Sequence, residues 1–277
     1  MKYIPDHTLR ELCESFEGQC ALYVSLPFCG EKFSYRENER FNAASTIKIP
    51  LLAKLFQDAE EGRLDLEKTK TIDPINRVRG SGIIKYLSPD LPMSLYDYAV
   101  LMIIVSDNSA TNHVIDAVGI DCANAYFQAN GWNHTELNRK LFSPTEGETA
   151  LGNHTSAADL GNLLERMLSG DLVSPDACKK MMSIMACQML GKFSGSVPVY
   201  RPLSTREPLG QVPEGKVILV EKGGTLVNRV SHDAAIMLLP NGRSAVLVML
   251  TECEDGEKSL SAIKKVSRAL YDRMIVD

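Results

Sequence analysis

Strand-like segments stand at both ends of this chain, and helical patterns fill the stretch between them. That order constrains the fold more than any other feature. Near the N-terminus, QCALYVSLP (19–27) and EKFSYRE (31–37) read as strands. Near the C-terminus, KVILVEKGGTL (216–226), HDAAIMLLP (232–240) and RSAVLVMLTE (243–252) read the same way. PNGR at 240–243 marks a tight hairpin turn between the last two. Residues 41–191 carry helix signals instead. SLYDYAVLMIIVS opens with Ser94 and, three residues on, Asp97, a capping pair. SAADLGNLLERML opens with Ser156 and Asp159, then places Leu160, Leu163, Leu164, Met167 and Leu168 at helical spacing. One sheet assembled from both termini satisfies this order. The expected fold class is therefore α/β (α+β): an antiparallel sheet flanked by helices, with an inserted all-helical domain. The expected division is a discontinuous sheet domain, 1–40 and 192–277, around a helical domain, 41–191.

The ends follow the same logic. The first 18 residues read as an amphipathic helix, with Asp6 as its cap, Leu9, Leu12 and Phe16 on one face and Gly18 ending it. The last segment, SLSAIKKVSRALYDRM, puts Ile263, Val266, Leu270 and Met274 on one stripe. Residues 192–215 are rich in Gly, Ser and Pro and read as a long surface loop.

Composition removes several function classes. A net charge of −5 without a basic run argues against a nucleic-acid partner. The longest apolar run, YAVLMIIV, is too short to span a bilayer, so no membrane partner is expected. The N-terminus lacks a basic stretch followed by an apolar one. The expectation is a cytoplasmic protein as the sequence stands, or an exported one if a leader was trimmed. Seven cysteines without paired spacing suit reduced thiols better than a disulfide framework. No metal-ligand pattern occurs, so neither a metal nor another cofactor is expected. The oligomeric state is not legible.

Two serine–x–x–lysine pairs stand out. Residues three apart share a helix side. Ser45 and Lys48 lie in NAASTIKIP, ahead of a mostly apolar helical run, TIKIPLLAKLF. A lysine buried there needs a partner or a depressed pKa. Ser261 and Lys264 repeat the spacing, but the apolar stripe of their segment turns Lys264 toward water. Two further elements are weak alone. Ser106-Asp107-Asn108 is also a common turn or capping sequence, and Lys222-Gly223-Gly224 is also a plain strand end.

Together, in this order, the three elements form the motif set of penicillin-recognising serine enzymes. The chain resembles the class A β-lactamase and penicillin-binding-protein superfamily, through ENERFNAASTIKIPLL, VSDNSATNHVID and the lysine–glycine strand. The resemblance runs from about residue 5 to the C-terminus. It implies a β-lactamase/transpeptidase-like fold with the site in a cleft between sheet and helical insertion. Ser45 is then the nucleophile and Lys48, held beside the positive Lys222, its base. Ser106 passes the proton to the leaving nitrogen. Asn108 binds the substrate's side-chain amide, and Lys222 supplies charge for a substrate carboxylate. The oxyanion sits between the backbone N–H groups of Ser45 and Thr225, with Gly224 beside them. Tyr86 walls the pocket, or is an ordinary core or surface tyrosine. His113 and Trp132 read as structural.

The chain departs from the family pattern twice. Class A enzymes carry a glutamate that activates the deacylating water. Aligning Thr135, Leu137 and Arg139 with the family's threonine–x–leucine–x–arginine puts Leu141 in that place. A rival register uses the literal ELN at 136–138 and puts His134 there; the first is preferred. Glu146 and Glu148 follow in the same loop, either as a substitute base or as solvated carboxylates. Glu146 is the stronger candidate. The second departure is Gly223, where the family has a hydroxyl residue. Thr225 partly compensates, and Arg229 adds positive charge or is a surface arginine.

The expected function is a β-lactamase-type serine hydrolase, opening a β-lactam or related amide through an acyl-Ser45 intermediate. Its partner is a small-molecule amide or β-lactam substrate. A penicillin-binding-type carboxypeptidase, or an esterase or amidase with slow β-lactam turnover, is the alternative within enzymes. A non-catalytic binding protein on the same fold is the alternative outside them.

Overall fold

Five antiparallel strands carry the molecule, and the two ends of the chain meet in the middle of their sheet. The computed structural model describes residues 2–142, 152–227 and 229–275. After helix α1 (Asp6–Glu14) come β1 (Gln19–Leu26) and β2 (Glu31–Tyr35). A two-residue strand, β3 (Phe41–Asn42), leads through a 3₁₀ turn, Ala44–Ile47, into α2 (Lys48–Glu60). Two more short strands, β4 (Thr69–Lys70) and β5 (Met93–Ser94), precede α3 (Leu95–Ile104), α4 (Asn108–Val118) and α5 (Ile120–Ala129). Then follow β6 (His154–Thr155), α6 (Ala157–Ser169) and α7 (Pro175–Ala186). The chain finishes with β7 (Ile218–Leu226), β8 (Val230–Leu238), β9 (Ser244–Glu252) and α8 (Gly256–Met274).

The strand order is β2-β1-β9-β8-β7. β1 pairs antiparallel with β9, Tyr23 opposite Val248, so N- and C-terminal segments close one sheet. β7 is left at the edge. Period-two alternation divides the side chains between two cores. Ile218, Val220, Ala234, Ile236, Val246 and Val248 join the core shared with α2 to α7. Leu219, Ala235, Met237, Ala245, Leu247 and Met249 join the one beneath α1 and α8. Both faces are covered, which is why these strands read as almost unbroken apolar runs. The stripe expected on α8 is fully buried: Ile263, Val266, Leu270 and Met274.

Local signals placed the starts of α3 and α6. Ser94 and Asp97 form a complete capping box on α3, and the Ser156 hydroxyl caps α6 by accepting from the Asp159 N–H. The N-terminal helix differs from expectation. Asp6 is its first residue rather than its cap, with Pro5 in the capping position, and it ends at Glu14. Gly18 instead turns the chain into β1, at φ +151, where a Cβ would collide with the Glu252 carbonyl oxygen. The loop expected over 192–215 is largely irregular, but it starts with an anchored 3₁₀ turn, Phe193–Gly195, whose Phe193 is fully buried. Among the described residues no helix is long and apolar enough to cross a membrane.

Candidate active site

The 3₁₀ turn that carries Ser45 is held from three sides. Ala44 takes a left-handed φ of +44, a conformation a residue with a Cβ adopts only under external restraint. The restraint is visible. The Asn42 side-chain oxygen accepts from the Ala44 N–H at 3.1 Å, and Thr46 Oγ1 donates to the Ala43 carbonyl at 2.6 Å. His232, buried on β8, ties the segment to the sheet. Its Nδ1 accepts from the Thr251 N–H at 3.0 Å, so its Nε2 carries the proton and donates to the Asn42 carbonyl at 2.8 Å. Burial pushes this imidazole down to about 4, so it stays neutral.

The edge strand β7 presses against the same turn. A Cβ on Gly224 would lie 3.0 Å from the Ser45 backbone nitrogen, 3.1 Å from that of Thr46 and 3.2 Å from Ala44 Cβ. A side chain here would force the turn to give by a few tenths of an ångström. Ser45 is half-buried, and Thr225, next on the strand, is exposed.

One turn along from Ser45, Lys48 is completely buried. Its Nζ reaches three oxygens: the Ser106 carbonyl at 2.8 Å, Ser106 Oγ at 3.0 Å and Asn108 Oδ1 at 3.1 Å. Ser106 offers carbonyl and hydroxyl to one amine because its φ is +54. From the other side Lys222, also fully buried, donates to Ser106 Oγ at 3.1 Å and to the Gly223 carbonyl at 2.7 Å. The Ser106 hydroxyl therefore bridges two amines. Burial, then the charge of Lys222, holds Lys48 well below the ordinary lysine range, and Asp107 opposes this weakly. Burial and the charge of Lys192 push Lys222 down to about 7. Two buried like charges disfavour each other, and both amines are pulled down from the ordinary lysine value, which favours the neutral form. A neutral amine donates to two of its acceptors and keeps a lone pair for a proton.

Asp107 organises the surrounding loop. Its Oδ2 accepts from the N–H groups of Ile83 and Ile84 at 2.6 and 2.8 Å, and its Oδ1 caps α4 through the Ala110 N–H. Asn112, one turn further, clamps the backbone of Leu141: the Leu141 N–H donates to Oδ1 at 2.8 Å and Nδ2 to its carbonyl at 2.9 Å. The residue held against α4 is thus Leu141. Glu136, from the rival register, lies on the surface paired with Arg40 at 2.6 Å, and the His134 N–H donates to Asp159. Glu146 and Glu148 lie outside the described residues.

Lys48, Ser106, Asn108 and Lys222 meet through hydrogen bonds, and Gly224 packs against the Ser45 backbone. Tyr86 is 79% exposed, its ring facing the Lys85 ammonium, and Arg229 is exposed near the β7–β8 turn. His113 stacks on Tyr98 with ring centroids 4.0 Å apart, and Trp132 is buried with its Nε1 donating to Asn162. Sequence reasoning missed Asp107, Asn112, His232 and Lys192. Asp107 sits inside the quoted triplet and was legible as a helix cap. The others act through contacts between distant segments. Among the described residues no group of three or more His, Cys, Asp or Glu converges to hold a metal.

Comparison with known proteins agrees with this geometry. The family model described as "Beta-lactamase enzyme family" matches residues 5–274. The β-lactamase CARB-4 of Pseudomonas aeruginosa is 30% identical over 250 residues, covering 88% of this chain and 81% of that protein. The crystal structure of a β-lactamase from Sphaerobacter thermophilus superposes with a TM-score of 0.85 at 25% identity, over 100% of both chains. The structure of PBP-A superposes with a TM-score of 0.82 at 27% identity, over 97% of this chain and 95% of that one. Matched over almost its whole length, the chain belongs to the β-lactamase enzyme family.

Proposed function

We propose that this hydrolase of the β-lactamase type opens a β-lactam or related amide through an acyl-Ser45 intermediate. The observation that carries the reading is the Ser106 hydroxyl held between Lys48 at 3.0 Å and Lys222 at 3.1 Å. Lys48, neutral, takes the Ser45 proton as Oγ attacks the carbonyl carbon. The oxyanion is received by the N–H groups of Ser45 and Thr225, where Gly224 lets strand and helix tip meet. The C–N bond then breaks, and the proton travels from Lys48 through Ser106 to the departing nitrogen. Asn108 holds Lys48 in place through its Oδ1 and is itself anchored through its Nδ2, which donates to the Arg79 carbonyl at 3.3 Å. Lys222, protonated, attracts a substrate carboxylate. Water finally cleaves the Ser45 ester. A structure of a PBP-A variant as its acyl-enzyme complex with penicillin G, 26% identical to this chain, supports the covalent step.

Leu141 favours a second reading in which release is slow. Its backbone is held by Asn112 where the family alignment calls for a carboxylate, and an apolar side chain cannot take a proton from water. That reading makes the protein a penicillin-binding-type carboxypeptidase or an esterase that keeps its penicilloyl group. Labelling with a fluorescent penicillin, followed in time by intact mass, tests both. The expected result is an adduct lost in Ser45→Ala. Rapid disappearance of the adduct marks the lactamase, and persistence marks the penicillin-binding type. No adduct on wild type overturns the acyl-serine reading and points to a binding role or another substrate.

A further inference from the structure

The mechanism above makes no use of a half-buried lysine beside the site, Lys192. Lys192 enters the site from the segment after α7, far in sequence from the three motifs. Its backbone is fixed: the Asp233 carboxylate on β8 accepts from the N–H groups of both Lys192 and Phe193. Its side chain runs back to the sheet, where Nζ donates to the Gly224 carbonyl at 3.1 Å and to the His232 carbonyl at 2.9 Å. Gly224 and His232 are opposite each other in the β7–β8 register, so the ammonium straddles one rung of the ladder. The absence of a side chain at residue 223 leaves it room. A Cβ there would stand 3.1 Å from Lys192 Nζ and 3.0 Å from the Leu190 carbonyl oxygen.

We propose that Lys192 is a positioning residue for acyl transfer: lodged where Gly223 has no side chain, its ammonium polarises the Gly224–Thr225 peptide and strengthens the Thr225 N–H as an oxyanion donor. The inference rests on the acyl-Ser45 reading. The carbonyl that Lys192 grips and the N–H offered to the oxyanion belong to the same amide group. That amide is trans, so its C=O and N–H point in opposite directions, one toward the ammonium and the other away from it. A cation on the oxygen draws electron density from the nitrogen, and hydrogen bonds in a chain strengthen one another. The same contact clamps β7 to β8 at the rung nearest Ser45. Gly223 and Lys192 then form one coupled feature, in which a lysine from another segment fills the space of a hydroxyl residue.

The test reads the ester carbonyl of the acyl-enzyme, which reports the strength of the oxyanion donors. Carbonyl-labelled penicillin G is mixed rapidly with enzyme and the infrared difference band recorded, alongside the acylation rate. An absent penicilloyl adduct on wild-type Ser45 overturns the acyl-serine reading itself. With that adduct present, Lys192→Met is expected to move the band to higher frequency and slow acylation about 10-fold. This is less than the 10²–10³ typical of removing a donor outright. Gly223→Ala, which crowds the ammonium, is expected to move the band the same way and to add nothing in the Lys192→Met background. A folded Lys192→Met enzyme with an unmoved band overturns the proposal, even if acylation slows, because slowing alone is what a structural role predicts. If Lys192→Met does not fold, an unmoved band in Gly223→Ala overturns it instead.

Discussion

The chain carries a serine–x–x–lysine pair twice, and the two copies end in opposite environments. Ser45 and Lys48 stand where a 3₁₀ turn enters a helix buried in the helical core. Ser261 and Lys264 stand on α8, which turns Ile263 and Val266 to the sheet and leaves Ser261 exposed. Lys48 meets three oxygens and the field of a second buried lysine, whereas the stem of Lys264 lies against Gly195 near the surface. Identical spacing therefore gives a fully buried candidate base in one place and a half-buried lysine packed along the surface in the other. Spacing puts a lysine beside a serine; burial and a neighbouring like charge make it a base.

Removing what distinguishes the first pair has the largest effect. Lys48→Met is expected to slow acylation of Ser45 by about 10²–10⁴-fold, the usual contribution of a positioned base, measured by stopped-flow with a fluorescent penicillin. Gly224→Ala leaves both lysines in place but puts a methyl group against the Ser45 and Thr46 nitrogens. Its acylation rate should fall about 10²–10³-fold, as for a lost oxyanion donor. A smaller change is expected at Leu141. Leu141→Glu offers water a base and should shorten the life of the acyl-enzyme about 10-fold or more, read by intact mass. The control is the second pair: Ser261→Ala with Lys264→Met should leave acylation within about 2-fold, since surface changes stay near 0.5 kcal/mol. A large loss there would break the contrast.

What the sequence made legible was what depends on near neighbours or on simple period. Apolar alternation marked the strands of the sheet, and Ser94 with Asp97 marked a helix start. The motif triplet pointed to Ser45, Lys48, Ser106 and Lys222, which lie in the 3₁₀ turn, at the start of α2, in the α3–α4 connection and in the middle of β7. Asp6 misled because Pro5 occupies the capping position and shifts the aspartate one residue into the helix. Lys192 was invisible for a different reason. Its role needs residues 192, 223, 224, 232 and 233 to meet, and nothing in a Gly-, Ser- and Pro-rich stretch announces that its first residue folds inward. Asn112 was equally silent, since its partner is the backbone of Leu141 and backbone carries no sequence signal.

The central claim is a matter of protonation, and a titration of labelled lysine side chains by NMR tests it most directly. Lys48 is predicted to lose its proton well below the ordinary lysine value of 10.5, and Lys222 to titrate near 7. Lys222 must be charged to draw in an anionic substrate, and its charge is lost as pH rises through that value, so acylation by penicillins should fall on the alkaline side. A Lys48 that stays protonated into the ordinary lysine range would have no lone pair for the Ser45 proton at neutral pH, and would contradict the account.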